Sequence, residues 1–283
     1  MKFSRGQSIL AVAVALLIGV LWGALAPAQE VPETKTLELT VRGEFGAALQ
    51  LSADGQMGES PQTHLIIDGK GREIQPGGQL LYVASSYGYS ASGTLTPVTE
   101  QELVVTSATN EKLGELAPFI IGRREGTREV IEFPHAQGGG GELVVLDLLP
   151  SLAHGEMREW ANQPAGLQIS EADGVPALSV DGLDITRTDL FTLTVGSGAQ
   201  VAAKQSVWAN YLLANEKGEV IESTYGNPEP AFINPDEVFP ALSNAILDQR
   251  IGSRVITLVP ASEARGASDM IIVIDLLALA TEG

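Results

Sequence analysis

Groups able to do covalent chemistry are scarce in this sequence. It contains no cysteine, and its three histidines, His64, His135 and His154, stand in unrelated contexts without the spacing of metal ligands. The motifs of a phosphate-binding loop, a zinc protease, a calcium-binding loop and a serine hydrolase are also absent. The sequence therefore predicts no metal and no cofactor. Two classes of protein remain: one that binds, or an enzyme that works without a nucleophile.

Other chemically suggestive residues fit structural roles better. The glycine run at 138–141 lies between two apolar runs with no helix after it, which predicts a flexible loop rather than a phosphate cradle. Asp147 and Asp275 each lie inside the last apolar run of their half of the chain. We expect them to be structural or edge-facing carboxylates.

The N-terminus has the pattern of an export signal. Lys2 and Arg5 precede a mostly apolar run from Ile9 to Ala26, and an A-x-A type cleavage site follows at 26–28. Because the run approaches the ~20 residues that span a bilayer, residues 1–28 are predicted to be either a removed signal peptide or an uncleaved membrane anchor. The basic residues keep that end cytoplasmic and send the remainder out. We therefore expect an exported protein, secreted or held in the cell envelope.

The chain is strongly acidic, with a formal net charge of −18. This charge disfavours binding to nucleic acid and to anionic membrane surfaces. We expect no nucleic-acid partner, and a membrane contact only through an uncleaved N-terminal anchor.

The sequence contains an internal repeat. "REGTREVIEFP", residues 124–134, returns as "RIGSRVITLVP", residues 250–260, at an offset of 126 positions. At the same offset Gln79 matches Gln205, Leu116 matches Leu242, and Ile120 matches Ile246. The order of matches is kept along both halves, which a chance similarity would not do. The chain is predicted to contain one domain built twice.

Apolar runs rich in β-branched residues predict two series of strands. The predicted strands are Leu65–Ile67, Leu80–Ala84, Leu103–Val105, Arg128–Phe133 and Glu142–Leu149, then Leu190–Val195, Val207–Leu213, Val220–Ser223, Arg254–Val259 and Met270–Leu277. Each series also contains one short helix just before its Gly-[Ser/Thr]-Arg turn. Pro240 suits the first position of the second helix, whereas Pro118 should weaken or shorten the first.

These elements divide the exported part of the chain into two domains. The polar residues 29–60 are predicted to be a linker with one extended segment, and residues 61–150 the first domain. Residues 151–186, rich in turn-forming residues, are predicted to be a connection with some extended structure, leading to a second domain at 187–283.

Six motifs of the second half, taken in order, resemble the FKBP-type peptidyl-prolyl cis-trans isomerases. They are "VWANYLL", "GEVIEST", "EVFPAL", "IGSRVITLVP", "ARG" and "MIIVIDLL", and they cover roughly residues 188–279. The layout is also similar to the exported two-domain members of actinobacteria. The resemblance implies an α+β protein of two tandem FKBP-like domains, each a twisted antiparallel sheet wrapped around a short helix. It also implies rotation of X-Pro amide bonds without a cofactor.

The resemblance places a pocket in the second domain. Tyr211 matches the family's pocket tyrosine, and Val238 matches the valine that flanks the ligand. Phe232 matches the family's aromatic residue upstream of the helix. The other positions differ from the family: the chain has Ile221-Glu222 in place of Phe-Asp, Phe239 in place of an isoleucine, Leu242 in place of the floor tryptophan, Arg265 in place of a tyrosine and Ile272 in place of a phenylalanine. The resemblance thus assigns catalysis to Tyr211 and Glu222, and substrate binding to the remaining seven positions.

Two functions remain open from the sequence, besides a third interpretation in which the chain is a secreted pair of structural domains with no client. The six motifs kept in order, together with Tyr211 and Val238, favour a weak FKBP-type isomerase that is confined to the second domain. Its substrates would be proline-containing segments of exported proteins. The changes at Ile221, Leu242 and Arg265 favour a catalytically inactive FKBP-like chaperone or protein-binding module. The first domain has Ser85 and Lys112 at the tyrosine and valine positions, so we expect it to be structural or a binding surface.

Overall fold

The computed structural model describes residues 36–136, 139–264 and 268–280. The predicted leader, residues 1–28, lies outside these ranges. The described chain is mostly antiparallel β-sheet with a few short helices, an α+β arrangement, and it belongs to one compact unit. Within the described ranges, no helix has the length and apolar character needed to cross a membrane.

The first half forms a five-stranded sheet and a separate hairpin. Its elements are β1 (Glu38–Arg42), β2 (Gln50–Asp54), β3 (Gln62–Ile67), β4 (Gln79–Ser90), β5 (Leu95–Ser107), α1 (Asn110–Leu113), a 3-10 turn (Gly114–Leu116), α2 (Ala117–Ile120), β6 (Arg128–Pro134) and β7 (Gly140–Leu149). The sheet has the order β3-β6-β7-β4-β5, and β1 pairs only with β2. Every pairing in this half between named strands is antiparallel.

The second half repeats this strand order, except that two short strands form one edge of its sheet. Its elements are β8 (Glu156–Met157), β9 (Leu167–Ala172), β10 (Val175–Val180), β11 (Asp189–Val195), β12 (Val207–Asn215), β13 (Val220–Ser223), β14 (Ala231–Ile233), α3 (Pro240–Ile246), β15 (Arg254–Val259) and β16 (Met270–Leu279). The order β11-β15-β16-β12 matches β3-β6-β7-β4 of the first half. Where the first half has the single long strand β5, the second has β13 and β14, and both pair with β12.

Each sheet packs a helix on one face and a hairpin on the other, because side chains alternate along a strand. On β6, Ile131 packs with the helices of the first half, while Val130 packs with the hairpin β1-β2. On β15, Val255 packs with α3, while Ile256 packs with the hairpin β9-β10. The helix face of the second sheet is the face that carries the predicted pocket.

The repeated Gly-[Thr/Ser]-Arg turn makes the same buried ion pair in both halves. Arg128 reaches Asp147 with Nε–Oδ1 and Nη2–Oδ2 distances of 2.6 Å each, and Arg254 reaches Asp275 with the same two distances. Each arginine also donates to a backbone carbonyl of the hairpin in its own half. The repeat therefore preserves an anchor that ties the hairpin to the last strand, and the two aspartates are structural.

The ten predicted strands are all present, although β4 and β5 are longer than predicted. Pro240 is the first residue of α3, as expected. In the first half the helical stretch is divided into α1, a 3-10 turn and α2, with Pro118 at the start of α2. This division agrees with the predicted effect of Pro118.

Two segments predicted as connections contain paired strands. Residues 29–60, predicted as a linker with one extended segment, contain both β1 and β2, and residues 151–186 contain β8 and the hairpin β9-β10. The side chains of β1 and β2 alternate between half-buried and exposed, and the half-buried ones pack against the first sheet. The pairing of these strands was difficult to predict because their exposed faces are polar. In such a strand only every second residue needs to be apolar.

The two halves share a small apolar cluster. Leu81, Leu103 and Leu149 of the first half pack there with Trp208 and Leu277 of the second. Trp208 lies on the face of β12 opposite to α3. The contact between halves therefore lies behind the predicted pocket and leaves its face free.

Candidate functional site

Tyr211 lies at a gap in the strand pairing along β12. The strand β14 pairs with residues 207–209 and β13 pairs with residues 212–214, so Tyr211 falls between the two. Thr224, just after β13, closes the gap: the Tyr211 N–H donates to Thr224 Oγ1 at 2.9 Å, and the Thr224 N–H donates to the Tyr211 carbonyl oxygen at 3.0 Å. These two hydrogen bonds hold the backbone of Tyr211 in place beside the edge strand β13.

The Tyr211 hydroxyl donates a hydrogen bond to the Glu222 carboxylate. The two side chains share a face because Glu222 is paired with Leu213, which is two residues from Tyr211 on β12. Partial burial, and secondly the bond to Glu222, raise the pKa of Tyr211 to about 12. The phenol therefore keeps its proton at physiological pH, and the exposed Glu222 orients it.

The Tyr211 ring packs against the apolar cluster on the helix face of the second sheet. Tyr211, Val238 and Phe239 are half-buried and pack against the core cluster that contains Leu242 and Ile272. Phe239 caps the N-terminus of α3, and Pro240 starts the helix with a fixed φ, which sets Val238 and Phe239 at its entrance. The structure thus brings together six of the predicted residues, with Glu222 the polar one.

The floor of this surface is filled. Leu242 is 8% exposed and Ile272 is 1% exposed, so both belong to the packed interior. The side chains left partly accessible are Tyr211, Val238 and Phe239. The site is a shallow apolar surface with one oriented phenol at its rim.

The remaining predicted residues are not part of this group. Phe232 is paired with Trp208, stacks edge-to-face on it at 5.4 Å between ring centroids, and so lies on the opposite face of the sheet. Ile221 falls at a register shift between β12 and β13 and is 57% exposed, outside the apolar cluster. Arg265 lies outside the described residues. The residue of β14 that faces the cluster is Ile233, so the predicted position of Phe232 was wrong by one residue along the strand.

Several neighbours of the site were missed from the sequence. Leu213, Ala264 and Met270 are partly buried against the same cluster and border the surface. Thr224 and Asn210 support the backbone of Tyr211 from behind. Asn210 carried a signal, because a polar amide inside the apolar run "VWANYLL" must find buried partners.

Two concavities in the described part of the chain lie elsewhere. One, of about 190 Å³, lies beside α3 and includes Lys204, Asp236 and Leu247. The other, of about 550 Å³, lies in the first half and includes Met57 and His135. Among the described residues, no group of three or more histidine, aspartate or glutamate side chains is placed to hold a metal ion.

The first half does not repeat the site. Ser85 is buried, and Lys112 forms an ion pair with Glu229 of the second half at 3.6 Å. Glu129, which matches Val255 in the repeat, is fully buried on the helix face, with Arg123 Nε at 3.1 Å from its carboxylate. Burial raises the pKa of Glu129 to about 7, although Arg123 opposes the shift. A buried ionisable group thus replaces an apolar one on this face.

Comparison with known proteins gives the following likenesses. No family model and no curated protein matches the chain. Among solved structures it is similar to a peptidyl-prolyl cis-trans isomerase from Pseudomonas syringae, with 19% identity and a TM-score of 0.30 over 33% of this chain and 76% of that one. It is also similar to the three FKBP domains of wheat FKBP73, with 14% identity and a TM-score of 0.32 over 79% and 96%.

A third similar structure is FkpA from Escherichia coli, with 18% identity and a TM-score of 0.32 over 42% of this chain and 54% of that one. These values say nothing about which side chains of the present chain act.

Proposed function

We propose that the second half of this chain binds X-Pro segments on the surface around Tyr211 and catalyses their cis-trans isomerisation slowly, as an FKBP-type isomerase. The observation that carries the proposal is the Tyr211 hydroxyl, which Glu222 orients at the rim of an apolar surface made by Val238 and Phe239. The site contains no nucleophile, and the proposed reaction needs none.

The chemistry of the reaction suits such a surface. Amide resonance sets a rotational barrier of roughly 18–20 kcal/mol, and X-Pro bonds exchange slowly although both isomers are populated. The twisted amide has lost resonance and is less polar along C–N, so an apolar surface that excludes water favours it over the planar ground state. The Tyr211 oxygen, whose proton is directed to Glu222, keeps lone pairs that can accept a peptide N–H and fix its orientation.

The filled floor is the reason to expect slow turnover. Leu242 and Ile272 occupy the interior, so a bound proline ring would rest on the surface and remain in part solvated. This observation also favours a second candidate function, a protein-binding or chaperone module of the same fold that holds proline-containing segments without turning them over. Both functions use the same surface, and they differ in whether the bound X-Pro bond is isomerised.

The setting of this activity is also part of the proposal. The leader pattern of residues 1–28 supports an exported protein, secreted or anchored at its N-terminus. Its partners would be proline-containing segments of other exported proteins, with no cofactor and no nucleic acid.

The repeat supplies a matched pair of variants for the test. Isomerisation of the peptide Ala-Leu-Pro-Phe is followed by magnetisation-exchange NMR with the full-length chain, Val238→Lys and Lys112→Val. Val238→Lys places the first half's residue on the surface, and an ammonium group there keeps water that the reaction must exclude. We expect catalysed exchange with the wild type and with Lys112→Val, and the uncatalysed rate with Val238→Lys.

Exchange at the buffer rate with the wild-type chain contradicts the isomerase proposal. If the peptide still binds in that case, and Val238→Lys abolishes binding, the second candidate function is supported.

A further inference from the structure

A buried polar network joins the start of β4 in the first half to the gap beside Tyr211 in the second. Gln79 Nε2 donates to Asn210 Oδ1 at 3.1 Å and to the Thr224 carbonyl oxygen at 2.8 Å. Asn210 Nδ2 donates back to Gln79 Oε1 at 2.6 Å, and also to the Ser151 carbonyl oxygen at 2.9 Å. Thr224 Oγ1 donates to Asn210 Oδ1 at 2.9 Å.

Each side-chain polar atom of Gln79, Asn210 and Thr224 has a partner in this network. Asn210 is fully buried, and Gln79 and Thr224 are 8% and 4% exposed, so bulk water cannot replace a lost bond without entering the contact. A buried network of this kind is rigid when it is complete, and each group left unpaired costs its full desolvation. The network therefore fixes the first half and the gap in one arrangement.

The network reaches the site through Thr224. Its Oγ1 accepts the Tyr211 N–H, its own N–H donates to the Tyr211 carbonyl oxygen, and it follows the strand that carries Glu222. That strand, β13, is an edge strand with three paired positions and one register shift, so its own pairing holds it weakly. The bond from Gln79 to the Thr224 carbonyl therefore fixes the end of the strand that orients the phenol.

The duplication shows that this use of Gln79 is not a general property of the repeat. Gln205, its match, accepts a hydrogen bond from the Ala202 N–H at 3.1 Å within its own half. In the first sheet the place of Asn210 is taken by Val83, which pairs with Asp147 as Asn210 pairs with Asp275, and a valine side chain cannot form such a network. Gln79 therefore serves the contact between the halves, and Gln205 provides a matched control.

We propose that Gln79 is a positioning residue for the site around Tyr211, so that the first half of the chain completes the site of the second. The biological meaning of this inference rests on the proposed function, whereas its structural content does not. Without the Gln79 amide, Asn210 keeps only Ser151 and Thr224 as partners, and the Thr224 carbonyl keeps only the Asn227 N–H. We expect water to enter the gap at the lost bonds and the bond between Tyr211 and Glu222 to loosen.

The test uses the full-length chain with ¹³C at Cζ of its tyrosines and ¹⁵N in its amides, as the wild type, Gln79→Met and Gln205→Met. The Tyr211 resonance is identified by its loss in Tyr211→Phe, and Glu222→Gln gives the Cζ shift of a phenol without its carboxylate. We expect Gln79→Met to move the Tyr211 Cζ shift toward that of Glu222→Gln. It should also accelerate exchange of the Tyr211 and Thr224 amides severalfold, while Gln205→Met stays at wild-type values.

The inference is overturned if Gln79→Met leaves the Tyr211 shift and both amides unchanged. It is also overturned if every amide of the second half accelerates equally, because Gln79 would then be a general stability residue. Should Gln79→Met fail to fold, Gln79→Asn takes its place, since it keeps the amide but cannot reach both partners.

Peptide isomerisation recorded with the same variants keeps the two proposals separate. A moved Tyr211 shift in a chain whose wild type has no turnover contradicts the isomerase proposal and supports the positioning role. Turnover in the wild type together with an unmoved shift contradicts the positioning role alone.

Discussion

At the scale of single residues, the Tyr211 hydroxyl is the group through which the proposed turnover can be tested separately from peptide binding. Tyr211→Phe removes the hydroxyl and keeps the apolar ring against the cluster. We expect peptide affinity to stay close to wild type and turnover to fall by about fivefold, the equivalent of one hydrogen bond of about 1 kcal/mol. Magnetisation exchange measures the rate and a titration the affinity; equal turnover in both chains would show that the phenol takes no part.

Glu129 gives the first half a pH-dependent stability. Its pKa in the folded chain is about 7, against an ordinary value of 4.5, because burial disfavours the charged form. The folded state therefore binds this proton more tightly than the unfolded chain does. The contribution to stability is complete below about pH 4.5 and is lost as the pH rises through 7, a change of about 3 kcal/mol.

Glu129→Gln removes this dependence, because a neutral amide has no proton to lose. We expect the variant to be more stable than the wild type at pH 8 and similar to it at pH 4.5, as measured by urea unfolding. Glu115→Gln, a change at an exposed carboxylate, is the control and should keep the wild-type slope. A slope unchanged by Glu129→Gln would mean that this carboxyl is solvated in the folded state.

The roles of the site residues stay predictions, whereas their placement could be predicted in part from the sequence. Tyr211, Val238 and Phe239 come together because strand alternation and the helix start at Pro240 fix which way they face. The register of β14, a strand of three residues, depends on its pairing with β12, and this places Phe232 on the wrong face. An alternating run also does not show which of its two faces is buried, so the burial of Glu129 was not predicted.

At the scale of elements, the ion pair of each repeat explains why the Gly-[Thr/Ser]-Arg turn is kept. Arg254→Met would leave Asp275 buried without its guanidinium, at side-chain exposures of 3% and 0% for the pair. We expect a loss of about 3–5 kcal/mol in the free energy of unfolding. Arg187→Met, which breaks an ion pair whose arginine is 78% exposed, should cost less than about 1 kcal/mol in the same urea titration.

A double change sharpens this prediction. Arg254→Met with Asp275→Leu removes both charges, and most of the lost stability should return because no buried charge is left unpaired. A single change that costs no more than Arg187→Met would contradict the anchoring role of the pair.

The elements themselves were predicted unevenly. The ten strands have continuous or alternating apolar runs that the sequence reveals, and Pro118 and Pro240 set the extents of the helices. Extended structure was expected in both connecting segments, but the pairing into the hairpins β1-β2 and β9-β10 was not predicted, because their outer faces are polar and their apolar faces pack on the sheets. The strand β14 was not predicted, because three residues are too few for an alternating apolar pattern to be recognised.

At the scale of the whole molecule, two halves with the same order of four strands differ in the residues on their helix faces. The second half keeps an apolar surface beside Tyr211, whereas the first buries Glu129 on the matching face and extends Gln79 into the second. A shared apolar cluster around Trp208 and Leu277 adds to that contact. We therefore expect the peptide site to belong to the second half and to depend on the first.

The measurement that tests this account most directly is amide shift mapping of the full-length ¹⁵N-labelled chain during titration with the peptide Ala-Leu-Pro-Phe. We predict saturable shifts concentrated at Tyr211, Val238, Phe239 and Met270, and their loss in Val238→Lys. Shifts centred on the first half, or none at peptide concentrations that saturate a weak site, would contradict the account.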